Sequence, residues 1–501
     1  MIRRSHLDLS DPTSLVRLFV AGQIVLWTLA PALTHSAPPR DVVESIMWGR
    51  EWVLATYKHP AMPSWVLQAF WQLTGSVGWP AYFASQLFIA ATFVLVFLLG
   101  RDLMGPARAA AGTLLLTGVA YYAWPTVEFN HNVAETPLWA GLPFALWRAV
   151  ERRSILWWVL AGAFAAGGLY AKLSTGLLLA TAAAWLVLDA DARRTLATAG
   201  PYVGLAVFLV LAIPLDHWLL VHDFLPFKHA AHRMAQPGGR SVPAFLANVA
   251  LNLVGMLVIL TYAGLIGKRA KARSADQPAA GEAPVGRRER HFLAIFTAGP
   301  LLLALLGATI AQSGLKTAWG SSMFNLAGLW AIAAASDRFR QETLWRIGTA
   351  AATLLVVLPI GYALVVLFAP RYSSPLRVNW PQAEISRRMT AIWQAQTNGR
   401  PLRIVSGDTW VAGLVGITAK DRPSILNLGD LSLTPWIDPA RLDAEGMLIV
   451  WDARTGRIPA ALQQIVASGT TGEAEFSWPR NERRPNIVIA YRVVPPKAPP
   501  R

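Results

Sequence analysis

The sequence predicts a polytopic α-helical membrane protein of about eleven transmembrane helices, followed by a small α/β domain at the C-terminal end. Hydrophobic residues make up 54% of the 501 residues and charged residues only 15%, whereas soluble domains carry roughly 25% charged residues. Apolar runs near the ~20 residues needed to cross a bilayer recur from about residue 15 to residue 369. This composition excludes a soluble globular enzyme and a disordered chain.

Each predicted span is an apolar run between polar segments. The first follows a basic start, and its length favours an uncleaved helix over a signal peptide. The spans lie at about 15–33, 80–100, 108–123, 133–148, 155–170, 174–190, 200–218, 243–266, 291–310, 319–335 and 345–369.

The charge distribution predicts the orientation of these spans. The chain has 45 Lys and Arg against 29 Asp and Glu, a net charge of +16, and the segments on the N-terminal side of the membrane carry the larger share. Because basic loops stay in the cytoplasm, we expect a cytoplasmic N-terminus and, with an odd number of spans, an outer C-terminal domain. No basic patch is combined with a motif that reads DNA or RNA, so we expect no nucleic-acid partner. The absence of cysteine excludes disulfides and thiol catalysis.

The chain is expected to divide into a transmembrane domain, residues 1–370, and a soluble domain, residues 371–501. Within the first, residues 34–79 form a long outer loop and residues 267–290 an inner linker rich in Ala, Pro and charge. In the second, "LRIVSGD", "GMLIVWDAR" and "NIVIAYRVV" predict strands, and "WPQAEISRRMTAIWQAQ" predicts an amphipathic helix.

The first outer loop carries the most informative polar residues. Four residues share one face if the segment is helical: Asp41, Glu44, Trp48 and Glu51. Lys58 and His59 follow, just before a proline. Carboxylates here would serve as a general base toward a hydroxyl, and the two basic side chains would hold a phosphate. The alternative is an interfacial helix with a solvated acidic face and a snorkelling lysine.

A second polar cluster lies at the boundary before the fourth span. It comprises Glu128, Asn130, His131, Asn132 and Glu135. Polar residues this dense at membrane depth are costly unless they face a cavity. The Asn and His side chains would hydrogen-bond a sugar, and Glu128 or Glu135 would meet a cation. Helix capping with a tight turn is the alternative.

Two further segments are candidates. Lys172, between the fifth and sixth spans, would pair with a phosphate oxygen or snorkel to the lipid headgroups. His222 and Asp223 follow the seventh span, in a loop suited to contact with an acceptor or a carrier headgroup. His229 and His232 share a helical face there but lack a full ligand set, so the metal ligands are unknown and a divalent cation is left open.

The order of these motifs resembles the bacterial branch of the polyprenyl-phosphate-sugar glycosyltransferases of the protein-mannosyltransferase type (glycosyltransferase family 39-like). The resemblance rests on an acidic residue after the first span, "YKHPAMPSW", "EFNHNVAETPLWA", "GGLYAKLSTGLLL" and "HDFLPF", and it covers about residues 10–340. It implies the C-type glycosyltransferase fold, the bacterial inner (plasma) membrane, and chemistry on the periplasmic face.

The resemblance also implies roles for particular residues. The family's essential acid, which acts as base or orients the acceptor, corresponds to Asp41. Many members have two adjacent acids, whereas Val42 follows here, so a catalytic, metal-binding or structural role stays open for Glu44. The positions implied for the donor phosphate are Lys58, His59 and Lys172. The sequence has "HPA" where "HPP" is usual.

The implied reaction moves a sugar, with inversion, from a polyprenyl-phosphate-linked donor to lipid A, a lipopolysaccharide core sugar or a protein. The expected partners are that donor, a lipid or glycan acceptor and the membrane lipids. A transporter or flippase of lipid-linked sugars is the alternative, although the internal repeats typical of transporters are missing from the sequence. A polymerase or ligase of surface polysaccharide would share the donor type.

Overall fold

The computed structural model describes residues 11–235, 241–267, 284–372, 375–454, 458–467, 471–481 and 483–497. These residues form a mostly helical protein with one small C-terminal sheet, which confirms the predicted fold class. Most of the predicted inner linker, residues 268–283, lies outside the described residues.

Within the described part of the chain, six helices are long and apolar enough to cross a bilayer. They are α1 (Pro12–Thr34), α4 (Trp79–Met104), α10 (Gly200–Val221), α12 (Val242–Tyr262), α13 (Arg287–Ile310) and α15 (Gln341–Tyr372). The shorter apolar helices are α7 (Ile155–Ala171) and α8 (Thr175–Leu188). The remaining helices up to residue 372 are α2 (Arg40–Gly49), α3 (Met62–Thr74), α5 (Pro106–Leu114), α6 (His131–Arg152), α9 (Ala190–Thr195), α11 (Leu225–Ala235) and α14 (Ala327–Ala334). The protein is therefore a multi-pass membrane protein, and the count of eleven spans stays a prediction.

The third and tenth predicted spans are not single long helices. The segment expected at 108–123 contains α5, which ends at Leu114 and continues in short 3₁₀ turns to Val127. The segment expected at 319–335 contains two 3₁₀ turns and the eight-residue α14. Close backbone packing explains both, because a Cβ atom at Gly328 would clash with the carbonyl of Gly112. Most of their apolar residues are buried within the protein.

The residues group into two compact units. The first comprises Met1–Thr28, Ser85–Val127 and His131–Ile360, and the second comprises Leu29–Ala84, Glu128–Asn130 and Gly361–Arg501. The grouping does not follow the predicted domain boundary at residue 370, because the first loop between spans belongs to the same unit as the C-terminal segment.

In the second unit, the C-terminal residues form a five-stranded mixed sheet of order β2-β1-β3-β5-β4. The strands are β1 (Ile404–Gly407), β2 (Ser424–Asn427), β3 (Met447–Asp452), β4 (Thr471–Phe476) and β5 (Ile487–Val494), and the helices are α16 (Gln382–Gln396), α17 (Thr409–Gly416), α18 (Pro439–Glu445) and α19 (Ala460–Ala467). Strands β1, β2 and β3 run parallel, and β5 is antiparallel to β3 and β4. The three predicted strands and the predicted amphipathic helix are confirmed. Strands β2 and β4 were not predicted, since one has four residues and the other places glutamates on its exposed face.

The first loop between spans is folded rather than extended. Helix α2 lies between a proline-rich entry and a turn, and residues 42–49 of it are all buried. It crosses α3 closely, because a Cβ atom at Gly49 would clash with the carbonyl of Ser64. At the entry, the half-buried ring of His35 forms hydrogen bonds with the hydroxyls of Tyr82 at 2.8 Å and Tyr362 at 2.6 Å. The loop is thus a rigid support for the polar residues it carries.

Candidate active site

Two carboxylates meet at the N-terminal end of α2. Oε1 of Glu128 accepts a hydrogen bond from the backbone N–H of Asp41 at 2.8 Å. The side-chain amide of Asn130 donates to Oδ2 of Asp41 at 3.1 Å. The structure therefore brings together Asp41, Glu128 and Asn130, which come from two distant stretches of the chain.

Glu128 titrates near neutrality. Burial, together with the negative charges of Asp41 and Glu44, raises the pKa of its carboxyl from 4.5 to about 7. The N–H of Asp41 and the positive charge of Arg377 lower it in part. A carboxyl with a pKa near the working pH exchanges a proton readily, as a general base must.

Glu44 anchors two cations. Its carboxylate accepts two hydrogen bonds from Nζ of Lys58, at 2.8 and 2.6 Å, and it pairs with Nε of Arg40 at 3.4 Å. The side chain of Glu44 is only 3% exposed, against 21% for Lys58 and 40% for Arg40. The alternative of a solvated acidic face is therefore wrong for Glu44. The predicted common face also stops at Trp48, because α2 ends at Gly49 and leaves Glu51 outside the helix.

Lys58 and His59 lie in a tight turn. The hydroxyl of Thr56 accepts hydrogen bonds from the backbone N–H groups of Lys58 at 3.2 Å and His59 at 3.3 Å. The backbone N–H of Thr56 donates to the carbonyl of His59 at 2.8 Å. The Lys58 ammonium also lies 5.8 Å from the ring centre of Trp48 and 5.7 Å from that of Tyr57. We call Asp41, Glu128, Asn130, Glu44, Lys58 and Arg40 the loop cluster.

A second polar cluster lies in the first unit, around Glu135. Its carboxylate is fully buried and accepts hydrogen bonds from Lys172 at 3.1 Å, Ser174 at 3.0 Å and Ser322 at 2.9 Å. Nζ of Lys172 also donates to Oδ1 of Asn132 at 2.8 Å. Of the two glutamates that the sequence left open, Glu135 is the one that pairs with a lysine.

The other predicted site residues have their own surroundings. His131 is the first residue of α6 and is buried. Nδ1 of His222 is 2.9 Å from the carbonyl of Trp218, on whose ring the imidazole stacks at 4.0 Å. Asp223 forms an exposed ion pair with Lys228. The described residues contain no group of three His, Asp or Glu side chains that could hold a metal ion.

Some residues of these clusters were not singled out from sequence. Arg40 could have been found, because it stands four residues before Glu44 on one helix. Ser322 could not, because it follows Glu135 by 187 positions and only the fold brings it there.

Comparison with known proteins identifies a similar family and a similar fold. Residues 58–218 match the protein family described as dolichyl-phosphate-mannose-protein mannosyltransferase. The crystal structure of ArnT from Cupriavidus metallidurans bound to undecaprenyl phosphate aligns with a TM-score of 0.63 at 16% identity, covering 95% of this chain and 98% of that one. The apo form aligns with a TM-score of 0.62 at 15% identity, with the same coverage. No curated protein matches the chain by sequence.

The family match and the shared fold confirm three predictions from the sequence. The chain resembles the mannosyltransferase-type enzymes, it has the fold of a C-type glycosyltransferase, and its enzyme class is that of the glycosyltransferases. The match spans about a third of the chain and includes Lys58, His59, the Glu128 segment and Lys172.

Proposed function

We propose that this protein transfers a sugar from a polyprenyl-phosphate-linked donor to a hydroxyl or amine of a cell-envelope acceptor, at the loop cluster. One observation carries the proposal. Buried Glu44 pairs with both Lys58 and Arg40. On the same short helix as Glu44, the backbone N–H of Asp41 donates to Glu128. Cations suit the donor phosphate and a carboxylate pair suits the nucleophile, so one cluster supplies both requirements of glycosyl transfer.

The lipid donor is supported by the relative of the same fold, which was crystallised with undecaprenyl phosphate. Lys58 has three N–H donors and uses two on Glu44, which leaves one for a phosphate oxygen. Arg40 adds a second positive charge beside it, and His59 in the same turn adds an imidazole. These groups would stabilise the negative charge that grows on the phosphate as it leaves.

In the transfer step, a lone pair of the acceptor oxygen or nitrogen forms a bond to the anomeric carbon on the side opposite the phosphate. The bond between that carbon and the phosphate oxygen breaks, and its electron pair leaves with the polyprenyl phosphate. The acceptor proton passes to the Asp41–Glu128 pair. Attack opposite the leaving group inverts the anomeric configuration.

The structure changes the roles we propose for two predicted residues. Glu44 is a positioning residue for Lys58 and Arg40, since its oxygens accept hydrogen bonds from Lys58 and form an ion pair with Arg40. Lys172 is proposed as the counter-ion of Glu135, with its ammonium already bonded to that carboxylate and to Asn132. Asn130 would orient Asp41 and the acceptor, whereas His131, His222 and Asp223 remain candidates for substrate contact.

We further propose that the enzyme lies in the bacterial inner membrane, with a cytoplasmic N-terminus and the loop cluster on the periplasmic side. Nucleotide sugars are cytoplasmic, so a lipid-linked donor suits that side. Lipid A or a lipopolysaccharide core sugar is our proposed acceptor, ahead of protein.

The test is mass spectrometry of lipid A and core from a deletion strain complemented with wild type, Asp41→Asn or Asp443→Asn. Asp443 is an exposed residue whose side chain pairs with Lys497, so it controls for the loss of a carboxylate. We expect one sugar mass to disappear on deletion and to return with wild type and Asp443→Asn, but not with Asp41→Asn. Restoration by Asp41→Asn would refute the catalytic assignment.

A second measurement separates transferase from transporter. Purified Asp41→Asn should bind undecaprenyl phosphate as wild type does, measured as a shift in thermal unfolding, while it fails to modify membranes from the deletion strain. A transporter would instead retain partial function in this variant with altered kinetics.

A further inference from the structure

We propose that the C-terminal domain is the platform that positions helix α2, and with it Asp41, for transfer. The inference rests on the proposed function for the role of Asp41, and on the structure alone for the contact. Its key positioning residues are Gly413 and Gly416 of the C-terminal helix α17 and Arg50 at the end of α2.

Helix α17 meets α2 through a glycine face. A Cβ atom at Gly413 would clash with a methyl group of Val43, and one at Gly416 would lie 2.9 Å from Cε of Met47. Val43 and Met47 are one turn apart on α2 and are buried. The stiff, branched side chain of Val43 leaves no room for a Cβ at position 413, whereas the end of Met47 can move, so the residue at 413 determines how closely α2 approaches the C-terminal domain.

Arg50, which follows the last residue of α2, forms hydrogen bonds to the C-terminal end of α17. Its guanidinium donates to the carbonyl of Gly416 at 2.9 Å and to that of Ile417 at 2.7 Å. These carbonyls belong to the last turn of α17, where backbone acceptors lack helical partners and a cation is favourable. Burial, together with the positive charge of Arg422, lowers the pKa of Arg50 to about 9. Even so, the side chain keeps its charge at neutral pH.

The segment that follows α2 is held by the same domain. The hydroxyl of Ser424 on β2 donates to Glu51 at 2.7 Å. The Arg422 guanidinium lies 3.7 Å from the ring centre of Trp71 and donates to Gln68 of α3 at 3.1 Å. Both helices of the first loop are therefore attached to the C-terminal domain.

Helix α2 needs such support. It has ten residues, and the proline at its N-cap makes no side-chain capping bond. Isolated helices shorter than about 12–15 residues are marginal in water, so tertiary packing holds this one. A misplacement of about 1 Å in a reacting group costs on the order of a hundredfold in rate.

The first experiment uses substitutions at the glycine face, assayed in membranes of the deletion strain. Gly413→Ala should lower the transfer rate about tenfold or more, with undecaprenyl phosphate binding unchanged in thermal unfolding. The double variant Val43→Ala with Gly413→Ala should restore it, because it removes the clashing methyl and leaves the two Cβ atoms 3.9 Å apart. Gly361→Ala is the matched control, since its added Cβ meets nothing within 4 Å. Failure of the double variant to regain activity would overturn the positioning role.

The second experiment needs no activity. A Cβ···Cβ separation of 3.9 Å lies within the range for disulfides, about 3.5–4.5 Å, and the chain has no cysteine of its own. Val43→Cys with Gly413→Cys should form a bond on oxidation, measured as the loss of two sites for a maleimide-linked polymer. Absence of the bond would show that α2 does not rest on this domain.

The disulfide-bonded protein then tests whether α2 stays in contact with α17 during turnover. We expect it to transfer sugar within about twofold of its reduced form. Inactivation that reductant reverses would show that α2 must leave α17 during turnover, which would overturn a fixed platform. If wild type transfers nothing in any assay, the proposed function fails, while the disulfide yield still decides the contact.

Discussion

The buried pair of Glu135 and Lys172 makes a quantitative prediction about stability. Glu135 is 0% exposed at its side chain and Lys172 7%, so either charge left alone would be desolvated without its partner. Loss of one partner of a buried pair costs about 3–5 kcal/mol of folding free energy. Lys172→Met leaves the carboxylate with its two hydroxyl donors, and Glu135→Gln leaves the ammonium with neutral acceptors, the new amide oxygen and Oδ1 of Asn132.

The double variant separates pairing from packing. Lys172→Met with Glu135→Gln removes both charges, so its loss of stability should be smaller than the sum of the single losses by at least about 2 kcal/mol. Thermal unfolding followed by tryptophan fluorescence suits the chain, which has 22 Trp. The double variant should also bind undecaprenyl phosphate as wild type does.

The exposed pair of Asp223 and Lys228 is the matched control. Its side chains are 81% and 60% exposed, so removal of one or both should change stability by about 0–1 kcal/mol. Additive losses at Glu135 and Lys172, or a mild effect of Lys172→Met on unfolding together with lost binding of undecaprenyl phosphate, would refute the counter-ion assignment. The second result would return Lys172 to the donor phosphate.

Three further predictions concern pH and packing. Because Glu128 has a pKa of about 7 and must be ionised to accept a proton, the transfer rate in deletion-strain membranes should rise as the pH increases through about 7. The variant Glu128→Gln should remove this rise. An unchanged dependence of the rate on pH in that variant would exclude Glu128 from the proton transfer. Burial, with the positive charge of Arg480, lowers the pKa of His35 to about 3. An unfolded histidine binds its proton near pH 6.5, so wild type should lose folding stability as the pH falls from about 6.5 toward 3. The variant His35→Gln should lack this part of the dependence of stability on pH. Gly162→Ala should destabilise the protein by about 1–3 kcal/mol, since the added Cβ would clash with the carbonyl of Gly204. Gly176→Ala should not, because its added Cβ meets nothing within 4 Å. Equal melting temperatures of the two variants would contradict the close crossing of α7 and α10.

Local patterns succeeded where one stretch of chain carries the whole signal. Long apolar runs predicted the membrane helices, and short apolar runs predicted β1, β3 and β5. They failed where packing overrides length. The apolar segment after Pro106 breaks into 3₁₀ turns because it is packed inside the protein, which hydropathy does not register.

For the candidate site, the sequence identified residue types better than partners. Asp41, Lys58 and Glu128 were all singled out, but whether Glu44 was a base or an anchor stayed open. The ion pairs to Lys58 and Arg40 favour an anchor. The sequence predicted that Lys172 binds the donor phosphate, whereas in the structure its ammonium donates a hydrogen bond to the carboxylate of Glu135.

The sequence by itself determined that this protein lies in a membrane and which chemical groups it carries. Composition places most of the chain in a membrane, and the short motifs supply carboxylates, cations and amides that suit transfer from a lipid phosphate. Only the tertiary structure decided which of these groups meet. Asp41 and Glu128 are 87 positions apart and Arg50 and Gly416 are 366 apart. A hydrogen bond acts over about 3 Å, so the fold of the whole chain, and no local pattern, sets such contacts.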